Sequence, residues 1–218
     1  MVHTDRQVTA IVDYAHTPDA LAQVLDTITA LRTRNEKLIT VVGCGGNRDK
    51  AKRPLMAMAA VAKSDLTIFT SDNPRNEDPN LIISEMLAGV PMESNQKHLT
   101  VLNRAQAIKT ACTMAQDHDI ILVAGKRHET YQDQNGERLP FDDMQELTQN
   151  LESQLFNSVS TEHPPMLSRS WLLISPGRAL GESASLPSRP MAPPTSSETA
   201  WQIVGPSSMV LRHLSKTS

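Results

Sequence analysis

Four polar loops of this 218-residue chain carry the residue types best suited to binding a charged small molecule. They are DYAHTPD at 13–19, GCGGNRDKAKRP at 43–54, SDNPRNEDP at 71–79 and AGKRHETYQ at 124–132. A guanidinium group can hold a carboxylate through two parallel hydrogen bonds, and a carboxylate can accept hydrogen bonds from an ammonium group. Arginines and acids in neighbouring loops therefore indicate a site for an amino-acid zwitterion.

The segment Asp72, Asn73, Pro74 and Arg75 is the most specific of these candidates. The rigid proline ring holds an acid, an amide and a guanidinium group in a fixed relation. Taken alone, the segment is more typical of a solvated turn with a surface arginine, because Asp and Asn favour turns. The other loops are needed before a binding role is preferred.

The glycine-rich segment at 43–49 contains Arg48 and follows an apolar run. Its backbone N–H groups can surround an anion, although a tight turn explains the glycines equally well. The segment has neither the GxGxxG nor the GxxxxGK[ST] spacing. We therefore expect no self-sufficient nucleotide site in it, and any phosphate chemistry needs residues from elsewhere.

The last loop supplies Gly125 and Glu129. If it lies at the same edge of a sheet as Arg48 and Arg75, Glu129 can take an ammonium group while the arginines take carboxylates. His128 suits a structural hydrogen bond at least as well as catalysis. His16, in the first loop, suits either packing on a nucleotide or bracing its own loop.

Short β-branched runs alternate with helical patterns from residue 9 to about residue 157, which predicts an α/β domain with a Rossmann-like, mostly parallel sheet flanked by helices. The predicted strands are 9–13, 38–43, 66–70, 98–102 and 120–124. The first predicted helix begins after Thr17, with Pro18 at its first position. Further helices are predicted at 54–63, 79–87, 103–117 and 142–156. Ligands of such sheets bind where strand ends meet loops, so the four loops are expected to converge.

Composition argues against several classes of partner: nucleic acids, metal ions and membranes. The formal charge is −3 and the charges are interspersed, which argues against a nucleic-acid partner. The two cysteines, Cys44 and Cys112, lack metal-ligand spacing, and no metal site is expected. No run approaches the roughly 18 apolar residues of a membrane span, and no signal peptide is evident. We expect a cytoplasmic protein without a membrane partner, and a monomer.

Residues 158–218 differ in character from residues 1–157. They are rich in Ser and Pro and have no hydrophobic periodicity, as in the segment SLPSRPMAPPTSSE. Such a composition buries too little apolar surface to offset the entropy of ordering. We expect one domain at 1–157 followed by a disordered tail.

Together and in this order, the four motifs resemble the C-terminal domain of the Mur ligase family, from about Gln7 to Leu155. The resemblance implies a three-domain ligase that binds a UDP-sugar, ATP and the incoming amino acid on successive domains, of which this chain matches the third. The DNPR motif implies selection of meso-diaminopimelate over lysine. The motif positions implied to contact it are Arg48, Asp72, Asn73, Pro74, Arg75, Gly125 and Glu129, while Asp13 and His16 are implied to face the nucleotide.

The resemblance also implies the reaction. ATP, with Mg²⁺, activates the carboxylate of UDP-N-acetylmuramoyl-L-alanyl-D-glutamate, and the amine of meso-diaminopimelate attacks it. No catalytic side chain is expected in this chain, ATP and Mg²⁺ are expected to bind mainly upstream, and the chain alone is expected to be inactive. Arg127 stands where the family pattern GKGHE has its second glycine. The alternatives are a stand-alone module for an acidic amino acid and a Rossmann-like domain without a ligand.

Overall fold

The computed structural model describes residues 7–33, 35–126, 129–160, 199–205 and 208–213. Nine strands lie in this part of the chain: β1 (Thr9–Asp13), β2 (Leu38–Cys44), β3 (Leu66–Ser71), β4 (His98–Thr100), β5 (Ile120–Ala124), β6 (Tyr131–Gln134), β7 (Glu137–Pro140), β8 (Thr199–Gly205) and β9 (Ser208–His213). The α-helices are α1 (Pro18–Leu31), α2 (Lys52–Lys63), α3 (Pro79–Leu87), α4 (Arg104–Met114) and α5 (Asp143–Ser160), and a 3-10 helix spans Met92–Lys97.

The main sheet has the order β4-β3-β2-β5-β1-β9-β8, and its first five strands pair in parallel. This confirms the predicted α/β, Rossmann-like and mostly parallel sheet. The chain runs from β2 outward through β3 to β4 and then returns to β5 beside β2. The carboxyl ends of β2, β3 and β5 are therefore neighbours on one edge of the sheet.

Apolar side chains cover both faces of the sheet, because parallel strands are buried on each side. One face packs against α1, α2 and α3 through a cluster that includes Leu21, Leu25, Met56, Phe69 and Ile82. The other face packs mainly against α4 and α5 through a cluster that includes Val41, Ile68, Ile108, Val123 and Leu147. Helices on both sides hold the strand ends, and so the loops after them, in a fixed relation.

Helix α1 begins as its sequence predicts. Thr17 is the N-cap, and its hydroxyl accepts a hydrogen bond from the backbone N–H of Ala20 at 3.3 Å. Pro18 occupies the first turn, where its missing N–H costs nothing. The buried side chains Leu21, Leu25 and Ile28 follow the three- and four-residue spacing of one helix face.

Most of residues 158–218, for which disorder was predicted, lie outside the described residues, and the described part contains two strands that the composition did not predict. Helix α5 continues to Ser160, and β8 and β9 form an antiparallel pair. Strand β9 also pairs antiparallel with β1, from Thr9 with Arg212 to Asp13 with Ser208. The unpaired backbone groups of an edge strand such as β1 attract another strand, an effect that composition does not capture. The remaining tail residues lie outside the described residues.

Two further features concern the described residues only. No helix there is both long enough and apolar enough to cross a membrane. Cys44 and Cys112 are buried free thiols.

Candidate functional site

The loops after β2, β3 and β5 enclose one pocket at the carboxyl edge of the sheet. Most of the residues predicted to bind the ligand line it, and these are Arg48, Asp72, Asn73, Arg75, Gly125, Glu129 and His16. Pro74 and Asp13, which were also predicted, do not line this pocket. The arginines and the acids that the sequence places far apart are thus brought to a single cavity.

Glycines allow the three loops to approach closely. A Cβ atom on Gly43 would lie 2.5 Å from the Thr70 carbonyl oxygen, and one on Gly125 would lie 2.5 Å from the Gly43 carbonyl oxygen. Gly125 also has a φ of +96°, a conformation that disfavours any side chain. The floor of the pocket therefore requires glycine at both strand ends.

Pro74 packs against the glycine-rich loop and does not face the cavity. A Cβ atom on Gly46 would lie 1.9 Å from the Pro74 carbonyl oxygen, so the two loops are in direct backbone contact there. The Gly46 N–H donates a hydrogen bond to the Asn73 carbonyl oxygen at 2.8 Å. Pro74 consequently joins the loop that bears Arg48 to the loop that bears Arg75.

Arg75 is held in a left-handed backbone conformation, with a φ of 52°. Such a φ is uncommon for a residue other than glycine and needs support from its surroundings. The Arg75 N–H donates to the Asp133 carbonyl oxygen at 2.9 Å, and the Asn135 N–H donates to the Arg75 carbonyl oxygen at 2.8 Å. The Arg75 guanidinium donates to the Gly46 carbonyl oxygen at 2.7 Å, which directs it along the pocket wall.

The support comes from a hairpin of β6 and β7 that the sequence analysis missed. Its turn is Asn135-Gly136, and both residues have positive φ, 52° and 84°. An Asn-Gly pair between short strands is the strongest local signal for such a hairpin, so the signal was present. The Gln132 side-chain amide donates to the Asp72 carbonyl oxygen at 2.6 Å, which adds another bond between the hairpin and this loop.

Asp72 is a buried acid with an unsatisfied oxygen. The residue is only 7% exposed, and its buried Oδ1 has no hydrogen-bond partner among the described residues. Burial raises the pKa of Asp72 above its usual range, while the charges of Arg104 and Lys126 oppose that rise. A cation bound near Asp72 in the pocket would favour the charged carboxylate.

Glu129 is held by Asn73, whose side-chain amide donates to Glu129 Oε2 at 2.6 Å. Arg127 and His128, between Gly125 and Glu129, lie outside the described residues, so the effect of Arg127 stays an open prediction.

The loop after β1 borders the pocket through His16. Asp13 Oδ1 accepts the Ala15 N–H at 2.7 Å and braces this loop from within, and His16 Nδ1 lies 3.0 Å from the Tyr14 carbonyl oxygen. Lys52 also lines the pocket and donates to the His16 carbonyl oxygen at 3.0 Å. The sequence analysis gave Lys52 no role, although it lies in the same basic segment, 43–54, as Arg48 and begins helix α2.

The described residues do not form a metal centre or a reactive thiol. No group of three His, Cys, Asp or Glu residues in them is arranged to hold a metal ion. Cys44 lines the pocket, but burial raises the pKa of its thiol to about 12, so the thiol stays protonated at neutral pH. The pocket is instead lined by charged side chains of both signs, among them Arg48, Arg75, Asp72 and Glu129.

Comparisons with known proteins identify the relatives of this chain. The family model described as "Mur ligase, glutamate ligase domain" matches residues 1–127. A UDP-N-acetylmuramoyl-L-alanyl-D-glutamate--2,6-diaminopimelate ligase from Cytophaga hutchinsonii is 61% identical over 137 residues, which are 63% of this chain and 28% of that protein. The ligase of the same name from Bacteroides thetaiotaomicron is 53% identical over 146 residues, 67% of this chain and 30% of that protein.

A solved structure of a ligase with the same name superposes with a TM-score of 0.64 at 44% identity, covering 71% of this chain and 31% of that one. The chain thus spans less than a third of the length of these relatives. The family model covers more than half of the chain, and the matched region contains the loops that bear Arg48 and Arg75. The chain belongs to the Mur ligase family.

Proposed function

We propose that this chain forms the amino-acid-accepting domain of an ATP-dependent ligase that adds meso-diaminopimelate to UDP-N-acetylmuramoyl-L-alanyl-D-glutamate in peptidoglycan biosynthesis. The observation that carries the proposal is the convergence of Arg48, Arg75 and Glu129 on one pocket. The names of the relatives support the choice of amino acid and acceptor.

The pocket suits a doubly zwitterionic ligand. Arg48 and Arg75 have no salt bridge to a carboxylate of the described residues, so both can bind carboxylates of the ligand. Asp72 and Glu129 supply acceptors for its ammonium groups, and Gly125 lets the ligand backbone approach closely. Asn73 also lines the pocket, and Pro74 supports the loop through its backbone contact with Gly46.

The contribution of these residues to the reaction is orientation. The arginines and acids hold the amino acid so that one amine faces an activated carbonyl group of the acceptor, which replaces a bimolecular encounter with an oriented attack. No nucleophilic side chain is needed. Asp13 and His16, in the loop after β1, are assigned to the side that faces the nucleotide.

ATP and Mg²⁺ are assigned mainly to parts of the enzyme outside this chain. The printed sequence has no GxxxxGK[ST] motif, and the described residues offer no cluster of metal ligands. The residues present here do not fit a self-sufficient site for either group. We place the protein in the cytoplasm, since its proposed substrates are charged, water-soluble molecules, and we propose that it acts as a monomer.

Complementation in trans tests the proposal. The chain should be mixed with separately expressed N-terminal and central domains of the Bacteroides thetaiotaomicron relative, together with ATP, Mg²⁺, the UDP-dipeptide and meso-diaminopimelate. We expect phosphate release and a UDP-tripeptide only when both parts are present. Turnover by the chain alone would contradict the proposal that ATP and Mg²⁺ bind mainly to other parts of the enzyme.

The alternative is a stand-alone module that binds an acidic amino acid without ligase activity. It predicts ligand binding by the chain but no restored ligation. A chain that binds no amino acid at all and restores nothing would instead favour a domain without a ligand. The matched variant is Arg75→Ala, which should lower the restored activity at limiting meso-diaminopimelate, and circular dichroism would check that the variant still folds.

A further inference from the structure

The hairpin of β8 and β9 lies on the outer edge of β1. Strand β9 pairs antiparallel with the whole of β1, from Thr9 with Arg212 to Asp13 with Ser208. Without this hairpin, β1 would be the last strand on its side of the parallel sheet, with β5 as its only neighbour. The matched family model ends at residue 127, so the hairpin is a feature of this chain that the family model does not contain.

The backbone of β1 is shared between two neighbouring strands. The Thr9 N–H donates to the Asp119 carbonyl oxygen at 3.0 Å and so points towards β5. Successive N–H groups of a strand point in opposite directions within the sheet, so the Ala10 and Val12 N–H groups point towards β9. Ala10 lies opposite Leu211 in this register. Without β9, these groups would form the bare edge that proteins usually cover.

The first residue of β9 lies beside the loop that contains His16. This residue, Ser208, is opposite Asp13, the last residue of β1. Asp13 is buried, and its Oδ1 accepts the Ala15 N–H at 2.7 Å. One residue further along the chain, His16 lines the pocket. Pairing with β9 therefore fixes the residue that braces the loop at 13–19.

The chain can supply this edge strand itself at a modest cost. Residues 161–198 connect α5 to β8. The entropy lost on closing a loop grows only with the logarithm of its length, so a long connection costs little more than a short one. The backbone hydrogen bonds gained along β1 and within the hairpin oppose this cost. Docking of the hairpin on its own domain is therefore favoured.

We propose that the hairpin of β8 and β9 is a strap within the chain: β9 occupies the outer edge of β1 and thereby holds the loop at 13–19 where His16 lines the pocket. The partner that this edge binds is thus a strand of the same chain. The strap goes beyond the proposed function, because its action requires neither a nucleotide nor an amino acid. In the proposed ligase it would support the loop assigned to the nucleotide side, and this consequence alone rests on the proposed function.

NMR spectroscopy of the full 218-residue chain tests whether β9 occupies the edge. Ile11 and Val210 are opposite each other and form a pair without mutual hydrogen bonds, the kind of pair in which the Cα atoms of an antiparallel ladder are closest, at about 4.5 Å. We expect a nuclear Overhauser effect between their Hα protons and slow hydrogen exchange of the Ala10 N–H. Absence of the Overhauser effect, or fast exchange at Ala10, would overturn the proposal.

Leu211→Pro tests whether the strap holds the loop. Proline lacks the N–H that points from position 211 towards Ala10, so β9 should leave β1. The Ala10 N–H should then exchange at least about 100-fold faster, because the amides of a bare edge open at almost no free-energy cost. The Ala15 N–H, which Asp13 holds, should exchange about five- to tenfold faster, as expected when one hydrogen bond is weakened.

Thr199→Pro is the matched control in the same hairpin. Thr199 is the first residue of β8, a position at which a strand tolerates proline, so exchange at Ala10 and Ala15 should match the wild type. Slow exchange of the Val41 N–H, in the central strand β2, would show that the sheet of each variant remains folded. If Leu211→Pro does not fold, Leu211→Gly provides the milder test, because glycine weakens a strand but keeps the N–H.

Two results with a folded variant would overturn the proposal. Unchanged exchange at Ala10 in Leu211→Pro would show that β9 does not cover β1. Faster exchange at Ala10 with unchanged exchange at Ala15 would show that the hairpin covers the edge without holding the loop. None of these measurements uses ATP or a substrate, so a failure of the strap and a failure of the proposed ligase function are distinguishable.

Discussion

Four arginines near the carboxyl edge of the sheet fall into two pairs with opposite surroundings. Arg53 and Arg104 are fully buried and are neutralised by carboxylates of the domain. Arg104 binds Asp143 through two contacts of 2.7 Å, and Arg53 binds Glu77 through two contacts of 3.0 Å. Arg48 and Arg75 face the pocket, and no carboxylate of the described residues forms a salt bridge with either.

This difference distinguishes the arginines that stabilise the fold from the arginines that line the pocket. Removing a guanidinium group from water is costly unless an acid accompanies it, so the buried arginines carry their own acids. The pocket arginines keep contact with solvent, and apart from the bond of Arg75 to the Gly46 carbonyl oxygen their N–H groups are left for a ligand. Their carboxylate partners are expected to come from that ligand, which is the central claim about this site.

The largest effect is expected from breaking a buried pair. Arg104→Met leaves Asp143 buried without its partner, and the free energy of unfolding should fall by about 3–5 kcal/mol. Urea denaturation would measure it, with Arg48→Met as the matched control, expected within about 0.5 kcal/mol of the wild type. If Arg104→Met does not fold, Asp143→Asn provides the milder test. Similar losses for Arg104→Met and Arg48→Met would erase the distinction between the pairs.

Ligand affinity, in contrast to stability, should depend on the pocket arginines. If Arg75 binds a ligand carboxylate as proposed, Arg75→Ala removes that charged hydrogen bond, and meso-diaminopimelate binding should weaken by about 1.5–3 kcal/mol. Calorimetric titration would measure this loss. Arg32→Ala, whose partner is Asp65 outside the pocket, is the control and should leave binding unchanged. Equal losses for the two variants would contradict a ligand role for Arg75.

The ion pair between Arg53 and Glu77 should make the stability of the domain depend on pH. Hydrogen bonds from Arg53 and from the Asn47 N–H lower the pKa of Glu77 from 4.5 to about 2. Its contribution to stability is therefore complete above pH 4.5 and is lost as the pH falls towards 2. Thermal unfolding of the wild type and Glu77→Gln between pH 6 and 2 should converge as the pH falls. Parallel curves would show that the Glu77 carboxylate contributes nothing.

The smallest effect is expected at the hairpin that supports Arg75. Gly136 has a φ of +84°, and a Cβ atom there would meet no atom within 4 Å, so Gly136→Ala introduces backbone strain alone. The free energy of unfolding should fall by about 1 kcal/mol, with little change in ligand affinity. Gly46→Ala is the informative comparison, because its Cβ would collide with the Pro74 carbonyl oxygen at 1.9 Å. If Gly46→Ala were equally mild, the contact between the two loops would be unimportant.

Most of the parallel sheet was predictable from local pattern. Strands β1 and β5 and helix α3 have the predicted bounds, because continuous β-branched runs and a helix that starts at proline are strong local signals. Helix α4 ends at Met114, three residues before the predicted end, and α5 extends to Ser160. Helix ends depend on capping and packing, which a hydrophobic pattern specifies weakly.

The residues that line the site could be predicted from the sequence, but the tertiary contacts that support them could not. Parallel strands bring their following loops to one edge, which is why Arg48, Arg75 and Glu129 could be expected together. Asn73 depends on Asp133, 60 residues away, and such a contact leaves no mark on local sequence. The packing of Pro74 on Gly46 is likewise a tertiary contact. The strands β8 and β9 depend on pairing with an edge, which composition does not encode.

Discrimination between meso-diaminopimelate and L-lysine tests the central claim most directly. Lysine lacks the second carboxylate, so one pocket arginine would lose its partner and lysine should bind at least about tenfold more weakly. Calorimetric titration of the wild-type chain with each amino acid gives this ratio. A clear preference for meso-diaminopimelate that disappears in Arg75→Ala is the predicted result, and equal affinities for the two amino acids in the wild type would contradict the account.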